Sequence, residues 1–465
     1  MTEAGPVTVA RQALSLSDVL DAVAGAARRR GVECYLVGGF VRDRLLGREV
    51  RKDIDLLVVG DGAVELLSDV AASFRWSRPQ QFEHFGTAQV RGDDFVVEVV
   101  RARAERYDPE SRKPSVRAGT LDEDVWRRDF TVNALCQTLD GTVLDRTGRG
   151  LDDLRDRVLR TPLDPAETFG EDPLRMFRAA RFVAELGFRL ADGVIEAMRD
   201  QAHRADILSV ERIAAELRRL LVGDHPAAGI EVLRVGGLLD VVLPELPAMV
   251  GVEQSGYHVH DVYVHTLRAL DAAPPDLITR LAVLLHDVGK PPTHAIAADG
   301  RHTFHDHPQV GAAMSAAMLM RLRFSNEEVN AVASLVRLHL RPIQYDPATF
   351  SDAAVRRLVH AVGPLRQQLL DVARADTRAS AYPDLAQIDE LSERMESLDR
   401  GGAVSGLRAP LDGQAIMAIA GRGPGRWVGR AKAALEEAVL EGELAADDAE
   451  AAERWLRQHA ELLSG

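Results

Sequence analysis

The chain has 465 residues, 46% hydrophobic and 28% charged, which is long enough for two to four domains and excludes wholesale disorder, a fibre or a small stapled scaffold. Asp and Glu outnumber Lys and Arg by 71 to 57, a net charge of −14 that argues against nonspecific coating of nucleic acid or anionic membrane but allows a local basic cleft. Half of that excess lies in residues 433–465, where nine acids face Arg454 and Arg457. Only Cys34 and Cys136 occur, both in apolar surroundings, which predicts buried free thiols and a reducing compartment, the cytoplasm. The first residues lack a signal-peptide pattern and no apolar run approaches about 20 residues, so neither secretion nor membrane insertion is expected.

The first 150 residues mix two periodicities. VECYLVGG (32–39), IDLLVVG (54–60), AQVRG (88–92) and FVVEVV (95–100) read as short strands, and VRDRLLG, ending at Gly47, and AVELLSDVAASF (63–74) read as helices between them. An α/β layer follows. From about residue 165 the apolar positions recur at helical spacing with Gly or Pro stops, so the remainder reads as all-α. Breaks fall near 244–256 and 382–387, and the acidic C-terminal segment reads as terminal helices.

The first strand ends at Gly38-Gly39, where missing side chains let backbone N–H groups approach a phosphate, and a helix starts with Arg42 and Asp43 on its first turn. Asp53 and Asp55 alternate along the next strand, so both carboxylates point to one face, as two closely spaced Mg²⁺ ions require. Either piece alone is common; together, with Ile54, Leu56 and Leu57 packed around them, they favour a metal reading, because unscreened parallel carboxylates repel. Glu98 interrupts an apolar strand, either as a third carboxylate or as an edge residue facing water. WRRDFTVNAL brings Arg127, Arg128, Asp129 and Asn133, suited to ribose hydroxyls and phosphate or to a plain charged loop. In TFGEDPLRMFRAARF, Pro173 fits a first helical position, and Asp172 and Arg175 share a face on which an acceptor and a donor fork could read the pairing edge of a base. Arg178 and Arg181 continue that face; an exposed salt-bridged surface is the plainer alternative.

Further on, His258, His260 and His265, then His286-Asp287 after an apolar helix, then His302, His305 and His307, then His339, and finally Asp376, form a second constellation. Nine of the fourteen histidines lie between positions 258 and 339, a crowding hard to ascribe to packing, since each buried imidazole nitrogen needs a partner. Adjacent His and Asp with a His upstream and an Asp downstream suit an octahedral divalent-metal site. His258, His260, His302 and His305 read as surface residues, and Lys290 as a possible aid to a phosphate.

The ordered motifs Gly38-Gly39-Phe40-Val41-Arg42-Asp43, Asp53-Ile54-Asp55, Arg127-Arg128-Asp129-Phe130-Thr131-Val132-Asn133-Ala134, Glu171-Asp172-Pro173-Leu174-Arg175 and Glu211-Arg212 resemble those of class II CCA-adding tRNA nucleotidyltransferases and bacterial poly(A) polymerases. Phe40 stands where that family often has a small residue. The resemblance implies an α/β nucleotidyltransferase head with a mixed sheet over 1–160, a helical neck for base recognition over 161–245, a helical HD metal-binding domain over 246–385 and an acidic helical tail over 386–465. It implies catalysis by Asp53 and Asp55 holding two Mg²⁺ ions, with Glu98, read from its strand, as the candidate third catalytic carboxylate. Gly38, Gly39, Arg42 and Asp43 would serve the triphosphate, Arg128 and Asp129 the ribose, Asp172 and Arg175 the base, and Arg178 and Arg181 nucleotide binding; Glu211 and Arg212 would brace that helix. The partners implied are tRNA, CTP and ATP, with neither DNA nor membrane. The histidine region resembles the HD phosphohydrolase domain, with His265, His286, Asp287 and Asp376 as core ligands of a divalent transition metal and His307 and His339 completing a second position. The expected reaction is template-independent CCA addition; poly(A) synthesis, partial CC- or A-addition, and HD-dependent hydrolysis at RNA ends are the alternatives.

Overall fold

The computed structural model describes residues 14–48, 53–82, 87–92, 94–106, 115–254, 260–381, 384–400, 404 and 407–463. It divides into two compact units, residues 1–208 with 235–238 and residues 209–234 with 239–465.

The first unit opens with α1 (Leu16–Arg30), started by a Ser15/Asp18 capping box and stopped by Gly31 in the left-handed region. Strand β1 (Glu33–Val37) leads into α2 (Gly39–Leu45), and β2 (Asp53–Val59) into α3 (Ala63–Phe74). The chain then adds β3 (Gln80–Phe82), β4 (Thr87–Arg91) and β5 (Val96–Arg101), a hairpin of β6 (Arg103–Arg106) and β7 (Ser115–Ala118), α4 (Leu121–Trp126), and the short β8 (Cys136–Thr138) and β9 (Val143–Leu144). Seven strands form one sheet in the order β3-β4-β5-β2-β1-β8-β9. The β2/β5 pair is parallel and its neighbours are antiparallel. The sheet is therefore mixed, as expected, and α3 lies in the crossover that a parallel pair requires.

Alternation along β2 sorts its side chains. Ile54, Leu56 and Val58 are fully buried on one face, while Asp53, Asp55 and Leu57 share the other. Leu57 packs in a cluster with Val37, Val125 and Cys136, so the two carboxylates begin where the apolar part of that face ends. Cys34 and Cys136 are buried free thiols, pushed up by burial to about 12 and about 11 respectively.

Three helices follow: α5 (Gly150–Arg155), α6 (Pro165–Glu171) and α7 (Leu174–Leu186). Asp172 ends α6 and Pro173 caps α7, so Glu171 and Asp172 lie at a helix-to-helix corner.

The second unit is helical. Helices 262–272, 277–285, 307–321, 326–338 and 366–379 pack on one another, and helix 210–221, which carries Glu211 and Arg212, packs against 277–285. Helices 386–398, 413–420, 426–441 and 449–458 form the C-terminal part. From residue 165 on, the all-α expectation holds apart from Arg189–Leu190, which pairs with Val158–Leu159 in the first unit, and the pair His294–Ile296 with His302–Phe304 in the second, strands too short for a periodicity to reveal. Among the described residues no helix is long and apolar enough to cross a membrane.

Candidate active site and candidate metal centre

In the first unit the parallel register sets Asp55 opposite Glu98 and Asp53 opposite Val96. Glu98 thus stands beside Asp55, half-buried. Burial, and after it the Glu98 charge, push the Asp55 carboxyl up to about 6, with Arg128 pulling the other way and Asp53 adding to the rise. Gly38 adopts φ 68° and ψ −142°, a region open to glycine and strained for other residues. A Cβ on it would lie 3.7 Å from both Arg128 Nη1 and Asp55 Oδ2, so this turn is where the carboxylates meet the first guanidinium.

The arginines are held by a connected network. Fully buried Asp124 accepts from Arg127 Nε at 3.0 Å and from Arg128 Nε and Nη2 at 3.1 and 2.9 Å. Burial opposes its charge, yet the two guanidiniums keep it below the usual carboxylate range. Arg128 also donates to the Asn133 carbonyl. Asp129 accepts from its neighbour's backbone N–H, from Asn133 Nδ2 at 3.0 Å and from Arg178 Nε at 2.7 Å. Burial would raise it, but the Arg178 charge and these bonds hold it at about 2. Asn133 in turn accepts from Arg42 Nη1 at 2.6 Å, and Arg42 Nε bonds Asp43 at 2.8 Å. The guanidiniums of Arg42, Arg178 and Arg181 gather over the Phe182 ring, 5.2, 5.4 and 4.0 Å from its centre.

The three arginines of α7 are therefore not an exposed charged face. Arg175 and Arg181 are buried and Arg178 is half-buried. Arg175 Nη1 donates to the Thr168 carbonyl and Glu171, and its Nη2 to the Arg127 carbonyl; these bonds use three of the five N–H groups a guanidinium carries. Arg181 pairs with Glu185 at 2.8 Å, and Asp172 Oδ1 accepts from the Leu174 N–H. Sequence reasoning missed Asp124 and Phe182. The Asp124–Arg128 spacing of four was the available signal for the first; nothing distinguishes Phe182 from a core aromatic.

In the second unit, His265, His286 and Asp376 bring donor atoms within 4.8 Å of one another, and so do Asp287, His307 and His339; all six residues are buried. Among the described residues these are the only groups of three or more such donors, so the head carboxylates are less tightly gathered. His286 and His339 cap the C-terminal ends of helices 277–285 and 326–338, His307 opens helix 307–321, and His265 and Asp376 come from helices 262–272 and 366–379. Three imidazoles are oriented alike: Nδ1 of His286, His307 and His339 bonds the carbonyl three residues back, at Val283, Phe304 and Val336, over 2.7, 2.9 and 2.6 Å. Nδ1 therefore carries the proton, and each Nε2 is buried without a hydrogen-bond partner. Orphaned acceptors of this kind are costly unless an ion takes them.

The electrostatics agree. Burial would raise Asp287 and Asp376, but the surrounding imidazoles, and for Asp287 also Lys290, hold both well below the usual range. Burial lowers His286, yet the Asp287 charge, with Oδ2 3.2 Å from Nε2, lifts it to about 9, so the carboxylates make this spot favourable to positive charge. Burial, then the His286 charge, push His339 down to about 4. The donor set of imidazole nitrogen and carboxylate oxygen fits a divalent transition metal. Lys290 does not point to open solvent: it donates to Asp287 Oδ2 at 2.7 Å and to Gln254 Oε1 at 2.5 Å. Gly289 lets the loop close, since a Cβ there would fall 2.3 Å from the His307 carbonyl oxygen. Of the histidines read as surface residues, His305 is exposed, His260 and His302 are half-buried, and His258 lies outside the described residues.

A mixed sheet with paired carboxylates at a glycine turn, followed by this histidine centre, defines a nucleotidyltransferase with an HD domain. Family models match as a poly(A) polymerase head domain over residues 34–160, a probable RNA- and SrmB-binding site of polymerase A over 187–249 and an HD domain over 257–380. The chain is 38% identical over 340 residues to the A-adding tRNA nucleotidyltransferase of Deinococcus radiodurans, covering 70% of this chain and 76% of that protein. It is 34% identical over 399 residues to the multifunctional CCA protein of Chromobacterium violaceum, covering 81% and 93%. The crystal structure of the Bacillus stearothermophilus CCA-adding enzyme in complex with CTP matches with a TM-score of 0.70 at 25% identity, over 96% of this chain and 97% of that one. The chain belongs to the family of CCA-adding tRNA nucleotidyltransferases and bacterial poly(A) polymerases. Both of its domain families use divalent metal ions.

Proposed function

We propose that this chain completes tRNA 3′ ends by template-independent addition of CCA from CTP and ATP. The observation that carries the reading is the set Asp53, Asp55 and Glu98, with Glu98 in register beside Asp55 and Arg128 at the Gly38 turn, in a chain of this family. In each cycle the tRNA 3′-oxygen bonds to the α-phosphorus, the hydroxyl proton leaves to solvent, and the bond from that phosphorus to the bridging oxygen breaks with release of pyrophosphate. Asp53 and Asp55 would hold the Mg²⁺ ions, which would supply Lewis acidity toward the hydroxyl and the phosphate. Gly38, Gly39, Arg42 and Asp43 receive the triphosphate, and Arg128 and Asp129 the ribose. Arg175 keeps two N–H groups beyond its three protein bonds, and with Asp172 these present a donor and an acceptor to a base edge. Arg178 and Arg181, gathered at Phe182, support nucleotide binding on this surface. In this division residues 1–160 catalyse, 161–245 select the base, 246–385 form the HD domain and 386–465 the tail, and the cytoplasm is the compartment.

The experiment is extension of a tRNA ending at its discriminator base, with CTP alone, ATP alone and both. Three added nucleotides that require both triphosphates support CCA addition. One added nucleotide with ATP, on a tRNA already ending in CC, and none with CTP supports an A-adding enzyme, the reading favoured by the Deinococcus relative; a long tail with ATP alone supports poly(A) synthesis. A second activity, hydrolysis of cyclic or terminal phosphates on RNA ends, is favoured by the orphaned Nε2 atoms of His286, His307 and His339.

A further inference from the structure

Beside the HD centre lies the ribbon His294–Ile296 and His302–Phe304, which the reactions above do not use. Its register pairs His294 with Phe304, Ala295 with Thr303 and Ile296 with His302, so alternation places His294, Ile296, His302 and Phe304 on one face. His294 Nε2 and His302 Nδ1 are 2.7 Å apart and their rings are 5° from parallel with centres 5.0 Å apart. A nitrogen contact that short at that centre separation makes the two rings edge-to-edge and coplanar, a flat surface two imidazoles wide. The Phe304 ring lies 5.4 Å from His294 at 24°, Glu253 approaches His302 at 3.5 Å, and Ile296 is 66% exposed.

A two-stranded ribbon is marginal in water on its own, and this one is fastened to the metal ligands. The Phe304 carbonyl accepts from His307 Nδ1 at 2.9 Å. The Lys290 ammonium sits 5.5 Å from the Phe304 ring centre while donating to Asp287 Oδ2 at 2.7 Å. One ammonium group thus lies between the half-buried Phe304 ring of this face and a carboxylate of the centre.

We propose that this ribbon face is a base-stacking platform that seats the terminal nucleoside of a 3′-phosphorylated RNA end whose phosphate reaches the HD centre. The inference rests on the hydrolytic reading of that centre. A nucleobase is the occupant that fits: the face is flat and ringed, which suits stacking, the Lys290 ammonium lies on the side of the centre, and its single exposed aliphatic residue, Ile296, is too little for a lipid or an amphipathic helix.

The test uses the full chain loaded with Mn²⁺, with metal content measured and binding followed calorimetrically for inorganic phosphate, adenosine 3′-monophosphate and a short RNA ending in 3′-phosphorylated adenosine. The wild type should bind both adenosine ligands about 5- to 150-fold more tightly than phosphate. A variant combining His294→Ala and His302→Ala should bind all three alike, with metal content and phosphate affinity unchanged. No preference in the wild type, or a preference that survives in the variant, overturns the proposal, and tight binding of the mononucleotide but not the RNA overturns the RNA end as occupant. If the wild type and His339→Ala take up the same amount of Mn²⁺, the hydrolytic reading itself falls, and that result is distinct because it appears in metal content before any nucleotide is added.

Discussion

The two candidate sites of this chain are built on opposite principles. In the HD domain the candidate ligands are buried and aimed in advance: three Nδ1 atoms are tied to backbone carbonyls, which fixes the direction of the Nε2 atoms, His286 in one donor group and His307 and His339 in the other. In the head the carboxylates ride on adjacent strands, Asp53 is exposed and Asp55 and Glu98 are half-buried, and what is pre-organised is the second rank of residues, the arginines locked by Asp124, Asp129 and Phe182. A centre that keeps its ion can have its ligands fixed by folding. A centre whose ions arrive with a triphosphate needs its acidic strand face open and its phosphate-side cations rigid.

The largest expected effect tests the open site. Asp55→Asn should lower nucleotide addition by about 10²- to 10³-fold, the scale of losing one preorganised charge-stabilising group, while the melting temperature stays level or rises because a half-buried carboxylate crowded by Glu98 and Asp53 is removed. A variant that melts earlier and adds nucleotides at the normal rate would mean that Asp55 is structural, and the contrast between the sites would disappear.

Metal removal addresses the closed site. Chelation should destabilise the second unit by about 2.7 kcal/mol relative to metal at a hundredfold excess over its dissociation constant, read as a fall in melting temperature that Mn²⁺ restores. His339→Ala should erase that metal-dependent gain and leave the chelated protein no less stable, since the substitution removes an orphaned nitrogen. A chelated His339→Ala protein much less stable than the chelated wild type would make the cluster a packed core rather than a metal centre.

A smaller effect sharpens the idea of fixed geometry. Gly289→Ala places a methyl against the His307 and Gly311 backbones, and overpacking of this kind costs about 1–3 kcal/mol. Metal affinity should fall along with stability although no ligand is altered. Full metal content in a destabilised Gly289→Ala protein would show that the loop and the ligands are independent.

How much of this was legible beforehand follows the same division. The Gly38-Gly39 turn, the alternation of Asp53 and Asp55, helix 63–74 and the His286-Asp287 pair are local patterns, and local patterns survive into the fold. Glu98 was ambiguous because its role depends on which strand lies beside it, and the parallel β2/β5 pairing joins residues more than forty positions apart. Periodicity gave Arg175, Arg178 and Arg181 one face but could not tell a solvated face from a buried one: that turned on Asp129, Glu171 and Glu185 as acceptors, and on Phe182 as a ring for the cations. The two-residue strands and the 294–304 ribbon are shorter than any period, and the Lys290–Asp287 pair, three positions apart, was hidden because the lysine read as a phosphate ligand.

The smallest effect concerns how the HD domain holds the helix that carries Glu211 and Arg212. Arg218 on helix 210–221 donates to both oxygens of Glu328, with Nη2 at 2.7 Å, and its guanidinium lies 4.1 Å from the Phe324 ring centre. The Arg218 hydrogen bonds hold Glu328 at about 2 against an ordinary 4.5. A carboxyl whose folded value is depressed contributes stability that is fully present above its unfolded value and is lost as pH falls through the folded one. Glu328→Gln should therefore cost about 1 kcal/mol near pH 7, the upper range for a partly exposed pair, and the gap between the two proteins should close between pH 4.5 and 2. Salt should narrow the same gap at neutral pH. A gap independent of both pH and salt would assign the cost to the Ser325/Glu328 capping box that the same carboxylate completes, and would leave the helix held by its apolar face alone.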